Sequence, residues 1–277
     1  MSAPISTSHD TPSPVQVRDH WVQTPQGRMF VRAWSPAGGG TLAPILMFHD
    51  SLGAVSLWRD FPRALSVATG RTVYAYDRLG FGQSDARTDQ PSLHFVFEEA
   101  GKHFPRLREQ LGIERFVVLG HSVGGGMAVC SAASAPQDCD AVITIGAQAF
   151  VEECTKQGIR EAQSVYSDAT QFARLARYHG DKTRWVLDAW IESWLHPDFA
   201  DWSIKEQLPL LRCPTLALHG ELDEYGSSIQ PEIIAGLSGG EPSRMVLLRG
   251  LGHVPYRDDE ALVVAHIADF LREHAAR

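Results

Sequence analysis

Cysteine is scarce in this chain: Cys130, Cys139, Cys154 and Cys213 are the only 4 among 277 residues, and none stands in a C-x-x-C pair. Widely spaced and set in or beside apolar segments, they are expected to be buried free thiols of a cytoplasmic protein, not a disulfide frame or a metal cage. No H-E-x-x-H occurs and the 12 histidines are scattered, so no clustered metal ligands are expected. Positive charge is also short. Against 33 Asp and Glu stand 25 Lys and Arg, a net charge of −8 with no basic stripe, which argues against a nucleic-acid partner. No apolar run is long enough to span a membrane. The first 14 residues, rich in Ser, Thr and Pro, lack the basic start and apolar core of a signal peptide and are expected to form a disordered tail. Short-period repeats are absent.

What the sequence does contain is a rhythm of apolar β runs and helical stretches. Val15 to Val22 and Met29 to Trp34, joined by Pro25-Gln26-Gly27, predict an opening hairpin. Strands are then expected at Pro44–His49, Thr72–Asp77, Phe116–Gly120 and Ala141–Ile145, and helices at Leu57–Ala68, Phe95–Leu111 and Gly124–Ala133. Between Gln148 and Leu208 helical periodicity rich in tryptophan replaces the alternation, which resumes with strands at Thr215–His219 and Arg244–Leu248 and helices at Gln230–Leu237 and Asp258–Glu273. Strands alternating with helices imply an α/β class, a mainly parallel sheet covered on both faces. The expected organisation is one core, residues 15–147 and 209–277, with residues 148–208 inserted as a helical cap.

Gly120-His121-Ser122-Val123-Gly124 lies between the apolar run Phe116–Leu119 and a stretch of small residues. It reads as a strand turning sharply into a helix, with a serine at the apex and glycines where the backbone is crowded. Val123 would place its N–H in the first helical turn, where donors are unpaired and the helix dipole favours negative charge. A glycine-rich turn alone could account for the motif, so partners decide. A serine hydroxyl needs a base and a group to align that base. After the strand at Thr215–His219 comes Gly220-Glu221-Leu222-Asp223, and after the strand at Arg244–Leu248 comes Gly250-Leu251-Gly252-His253. Both loops leave the C-terminal edge of the sheet, where open α/β sheets gather their reactive groups. The candidate triad is therefore Ser122, Asp223 and His253, with Glu221 or Glu224 as the alternative acid.

That order, Ser, acid, His, resembles the α/β-hydrolase superfamily over roughly Val15 to Ala275. The segments His49-Asp50-Ser51-Leu52-Gly53, Leu57-Trp58-Arg59-Asp60-Phe61-Pro62 and Gly252-His253-Val254-Pro255-Tyr256-Arg257-Asp258 are similar to those of bacterial serine hydrolases. Asp77-Arg78-Leu79-Gly80-Phe81-Gly82-Gln83-Ser84 is similar to the superfamily's D-x-x-G-x-G-x-S turn. The resemblance implies an eight-stranded type of sheet with an inserted cap, and an oxyanion hole from the N–H groups of Val123 and Ser51, or of Leu52 in place of Ser51. Where the superfamily usually has glycine after His49, this chain has Asp50. A carboxylate there opposes oxyanion chemistry unless it points away or is paired by a basic residue such as Arg78.

Trp190 and Trp194 share a helix face, and with Trp58 they either wall an apolar pocket or glue the cap to the core. Arg174, Arg177, Lys182 and Arg184 form either a solvated face or a clamp for a carboxylate. The expected activity is hydrolysis of an ester-type carbonyl in a small-molecule substrate through an acyl-enzyme, without a cofactor. Hydrolysis of a carbon–carbon bond in a diketone is the rival, against which counts that Ser51-Leu52-Gly53 lacks the extra glycine and proline common in the oxyanion loops of such enzymes. A slow, hydrolase-like ligand receptor is the rival from another class, and a serine nucleophile speaks against dehalogenase and epoxide-hydrolase chemistry.

Overall fold

Ile45–Phe48 is buried along its whole length, and its side chains alternate between two apolar clusters, Ile45 and Met47 in one, Leu46 and Phe48 in the other. A strand of that kind is stable only with a layer on each face. The computed structural model describes residues 15–275, so the tail expected at residues 1–14 lies outside the described residues. Its strands are β1 (Gln16–Thr24), β2 (Gly27–Ser35), β3 (Ile45–Phe48), β4 (Val73–Tyr76), β5 (Phe116–His121), β6 (Cys139–Ile145), β7 (Thr215–Gly220) and β8 (Ser243–Leu248). They form one 8-stranded sheet in the order β1-β2-β4-β3-β5-β6-β7-β8. Only β1 with β2 and β2 with β4 pair antiparallel; the remaining pairs are parallel.

The main helices are α1 (Phe61–Thr69), α2 (Phe104–Leu111), α3 (Val123–Ser134), α4 (Glu153–Tyr166), α5 (Ala169–His179), α6 (Thr183–Trp194), α7 (Ile229–Leu237) and α8 (Glu260–His274). Phe61 and Leu65 of α1 and Ile267 and Phe270 of α8 cover one face of the sheet. Phe104 of α2, Met127 of α3 and Ile234 of α7 belong to the cluster on the other.

Prolines explain where helices depart from the sequence reading. The helix expected from Leu57 splits into a 3₁₀ turn, Val55–Trp58, and α1, which restarts with Pro62 in its first turn. The helix expected over Phe95–Leu111 is interrupted by a wide turn at Glu99–His103 before α2, whose first turn holds Pro105. Proline lacks the N–H that would continue the preceding ladder, yet suits a first turn. Cys130, Cys139 and Cys213 are buried, but Cys154 is exposed, contrary to expectation. It stands one position off the stripe Thr155, Ile159, Ala162 that α4 buries. Among the described residues no helix is long and apolar enough to cross a membrane.

The helices α4, α5 and α6 lie between β6 and β7, and three side chains of this insertion fasten to core turns. Lys182 Nζ donates to the carbonyls of Phe81, Gly82 and Ser84, so it is neither a solvated residue nor a clamp. His179 accepts from Gly82 N at 3.0 Å through Nδ1 and meets the Leu52 carbonyl at 3.0 Å through Nε2. Trp185 Nε1 donates to the Asp89 carbonyl.

Phe104, 1% exposed, has its ring 5.0 Å from Phe116 and 5.5 Å from Phe48. Phe104→Ala is expected to cost about 3–5 kcal/mol in urea unfolding with an unchanged slope; a loss below about 1 kcal/mol would show that this aromatic cluster does not hold the layer.

Candidate active site

β5 ends at a turn so tight that side chains are excluded on both sides of it. A Cβ on Gly120 would lie 2.0 Å from the Gly124 carbonyl oxygen, and one on Gly124 would lie 2.2 Å from that of Phe48. Between them Ser122 takes φ 55°, ψ −128°, and Ser122 and Arg59 are the non-glycine residues with positive φ among the described residues. Such a conformation costs about 1–3 kcal/mol and persists where the surroundings enforce it. Ser122 N donates to the Ile145 carbonyl at 2.9 Å, which ties the turn to β6. The hydroxyl, in a residue 8% exposed, donates to Gln148 Oε1 at 3.4 Å.

The carboxylate and imidazole arrive from the ends of β7 and β8. Asp223 N donates to the Gly220 carbonyl, closing the turn after β7. Both carboxylate oxygens then face His253 Nδ1, at 2.9 and 2.8 Å. Oδ1 also accepts from Tyr225 N at 2.8 Å, and His219 Nε2 lies 3.5 Å from Oδ2. In the neutral ring Nδ1 is thereby the protonated nitrogen, and Nε2, across the ring, is the one left to accept a hydrogen. Burial alone would raise the Asp223 pKa, but the hydrogen bond and charge of His253, with His219 and the Tyr225 N–H, hold it below the ordinary carboxyl value. Burial likewise would lower His253, and the hydrogen bond and charge of Asp223 outweigh it and raise the imidazole. Glu221 instead accepts from Gly250 N, and Glu224 lies in the cavity wall.

Ser122 and His253 line one cavity of about 340 Å³. Ser51 and Asp50 from the loop after β3, Gln148 from the loop after β6, and Trp190 and Trp194 from α6 share its wall. Trp58 does not. It is 2% exposed, stacked on Phe61 and tilted against Tyr256 at 5.0 Å, while its neighbour Leu57 lines the cavity instead. Trp194 serves on both sides, since it also packs against Phe199 and Trp202. Of the basic residues, Arg174 reaches the cavity and Arg184 pairs with Asp188 at 3.7 Å.

The loop after β3 is set by Asp50 and Asp77. Asp77 accepts from Val55 N at 2.6 Å and from Gln83 N at 2.7 Å, joining this loop to the D-x-x-G-x-G-x-S turn. Asp50 Oδ1 accepts from Leu52 N at 2.8 Å, which commits that N–H, the alternative oxyanion donor, to an internal turn. The Ser51 N–H stays as the candidate, beside Val123 N at the head of α3. Arg78 binds the Asp50 backbone carbonyl at 2.8 Å, not its carboxylate, which instead faces His121 Nδ1 at 3.3 Å. Burial would raise the Asp50 pKa, and His121, His49 and the Leu52 N–H together hold it well below the ordinary value. Sequence reasoning overlooked Gln148 and His121. Gln148 follows the end of β6 by three residues, so the strand-edge rule would have reached it.

Asp223 binds fewer protons folded than unfolded, so its stabilisation is full above the ordinary carboxyl range and is lost as pH falls through its depressed folded pKa. His253 binds more, so its contribution is full below the unfolded imidazole pKa and is lost as pH rises through the elevated folded one. Unfolding free energies measured from about pH 3 to 9 are expected to vary less with pH at both ends in Asp223→Asn than in the wild type. Parallel curves would contradict the pairing.

The model of the alpha/beta hydrolase fold family matches residues 43–260. Proline iminopeptidase of Lactobacillus delbrueckii subsp. lactis is 32% identical over 87 residues, 31% of this chain and 30% of that protein. Serine hydrolase BPHL of Mus musculus is 31% identical over 157 residues, 55% of this chain and 53% of its own. The chain thus matches about a third to a half of the length of these curated relatives. The solved 2-hydroxy-6-oxo-6-phenylhexa-2,4-dienoate hydrolase from Rhodococcus sp. strain RHA1 superposes with a TM-score of 0.72 at 16% identity, covering 94% of this chain and 100% of that one, a likeness of fold alone.

Proposed function

The chain belongs to the alpha/beta hydrolase fold family, and on that premise we propose that it is a serine hydrolase that opens an ester-type carbonyl through an acyl-enzyme. The observation that carries this reading is the grip of both Asp223 carboxylate oxygens on His253 Nδ1, which leaves Nε2 uncommitted on a residue that shares a cavity wall with Ser122. Rotation of the Ser122 hydroxyl from Gln148 towards His253 Nε2 begins the reaction. Oγ attacks the carbonyl carbon as its proton passes to Nε2, and the N–H groups of Val123 and Ser51 hold the resulting oxyanion. His253 then gives that proton to the leaving alkoxide. A water molecule, deprotonated by the same nitrogen, attacks the acyl carbonyl and frees Ser122 and the acid. Residues 148–208 act as the cap, closing the cavity over a small substrate with Trp190 and Trp194 as apolar wall.

A fluorophosphonate should label Ser122, found by peptide mapping, and fail to label Ser122→Ala or His253→Ala. Ser122→Ala should lose at least about a thousandfold in kcat on a p-nitrophenyl ester while keeping its unfolding midpoint. Wild-type ester turnover in that variant would remove Ser122 as nucleophile. A screen of acyl esters beside β-diketones separates ester from carbon–carbon cleavage, and turnover of diketones alone would displace the ester reading.

The base must be neutral to act, so the acylation rate should rise with pH through a midpoint above the ordinary imidazole value of about 6.5. Asp223→Asn should move that midpoint down and lower the plateau. An unmoved midpoint would detach Asp223 from the base.

A further inference from the structure

A second imidazole–carboxylate pair lies directly behind the first. His121, 1% exposed, precedes Ser122 in the chain, and its Nε2 is 2.9 Å from the backbone carbonyl of His253. A carbonyl only accepts, so Nε2 carries a hydrogen and donates it. Nδ1 faces Asp50 Oδ2 at 3.3 Å and the Tyr256 hydroxyl at 3.3 Å, which completes the pair. The imidazole is wedged between rings, 5.0 Å from that of His253, 5.2 Å from Tyr256 and 6.2 Å from Trp58. Asp50 is tied in turn through Oδ1 to Leu52 N, and through its own carbonyl to Arg78 Nη2 and His49 Nδ1.

Three loops therefore meet at one side chain: the loop after β3 through Asp50, the nucleophile turn through His121 itself, and the loop after β8 through the His253 carbonyl. The first carries the Ser51 N–H, the second Ser122 and the third the base. We propose that Asp50 and His121 are positioning residues, a hydrogen-bonded bridge that holds the oxyanion loop and the backbone of His253 in register with Ser122 without entering the reaction. The bridge accounts for a carboxylate beside a site built for negative charge. Oδ2 is occupied by the imidazole and Oδ1 by a backbone N–H, so the carboxylate does not compete for the Ser51 donor. The inference rests on the reading of Ser122 as nucleophile.

Two substitutions separate bridge from charge. In Asp50→Ser the hydroxyl can still take the Leu52 N–H in a local turn but is too short to reach His121. In Asp50→Asn the amide oxygen can keep Leu52 N while the amide N–H donates to Nδ1, so the bridge survives without the carboxylate. The second-order rate of fluorophosphonate labelling of Ser122, and kcat and KM on a p-nitrophenyl ester, are to be measured for both, with the unfolding midpoint as the control for folding. Asp50→Ser should slow labelling and kcat by about 10- to 100-fold, the scale of an ångström-level misplacement, with KM changed by less than about threefold. Asp50→Asn should stay within about threefold of the wild type in all three. Wild-type rates in Asp50→Ser, a loss in Asp50→Asn as large as that in Asp50→Ser, or a loss confined to KM would each overturn the proposal. A wild-type enzyme that takes no label fails at the nucleophile, and the bridge falls with the reading beneath it.

Discussion

The close crossing of β5 and α3 over the end of β3 governs this molecule. At Gly120 and Gly124 backbone meets backbone with no room for a side chain, and the residue between is forced into a conformation that L-residues avoid. That strain is small beside the apolar burial that maintains it. β3, β5 and β6 are buried throughout, and each fully buried aliphatic or aromatic side chain contributes about 1.5–3 kcal/mol. The sheet interior therefore stabilises a distorted apex by a wide margin, and the hydroxyl at that apex is placed by packing far from it.

Parallel pairing extends the same constraint to the other loops. β3, β5, β6, β7 and β8 run parallel, so the loops that follow them open on one edge, and groups separated by more than a hundred residues come together. Asp223 and His253 meet within hydrogen-bond distance because β7 and β8 are paired in register up to Gly220 and Leu248. Asp223 and His253 have opposite pKa displacements for one reason: each stabilises the charged form of the other more than burial penalises it.

Much of the fold was legible because it rests on local signals. Apolar runs bounded by glycine and polar residues marked the strands, and chain order marked which strand ends would carry Ser122, Asp223 and His253. The sides of short turns were not legible. Residue type makes Trp58 a candidate for the pocket wall or for the seam between cap and core, and neither holds, because Val55–Trp58 is a 3₁₀ turn. With three residues per turn, neighbours there point about 120° apart, and Leu57 reaches the cavity while Trp58 enters the core. Lys182 was misread for a related reason. Periodicity places a lysine on a helix or beside it, but the three carbonyls that bind it come from a turn about a hundred residues earlier. Asp50 stands out as a departure, but its partner does not, because the G-x-S-x-G pattern leaves the residue between the glycine and the serine unspecified.

The two imidazole–carboxylate pairs divide the work of fixing one residue. Asp223 fixes the ring of His253 through Nδ1, and His121 fixes its backbone through the carbonyl. A side chain held only at the ring could follow a drifting loop, and one held only at the backbone could rotate about its own bonds. Holding both leaves Nε2 a narrow range of positions. The cost of burying two carboxylates is offset because their oxygens meet N–H donors or an imidazole, the condition under which buried charge is tolerated. A group whose position is already determined loses little freedom when a reaction begins, and in that sense the polar network beneath the cavity continues what the apolar sheet begins.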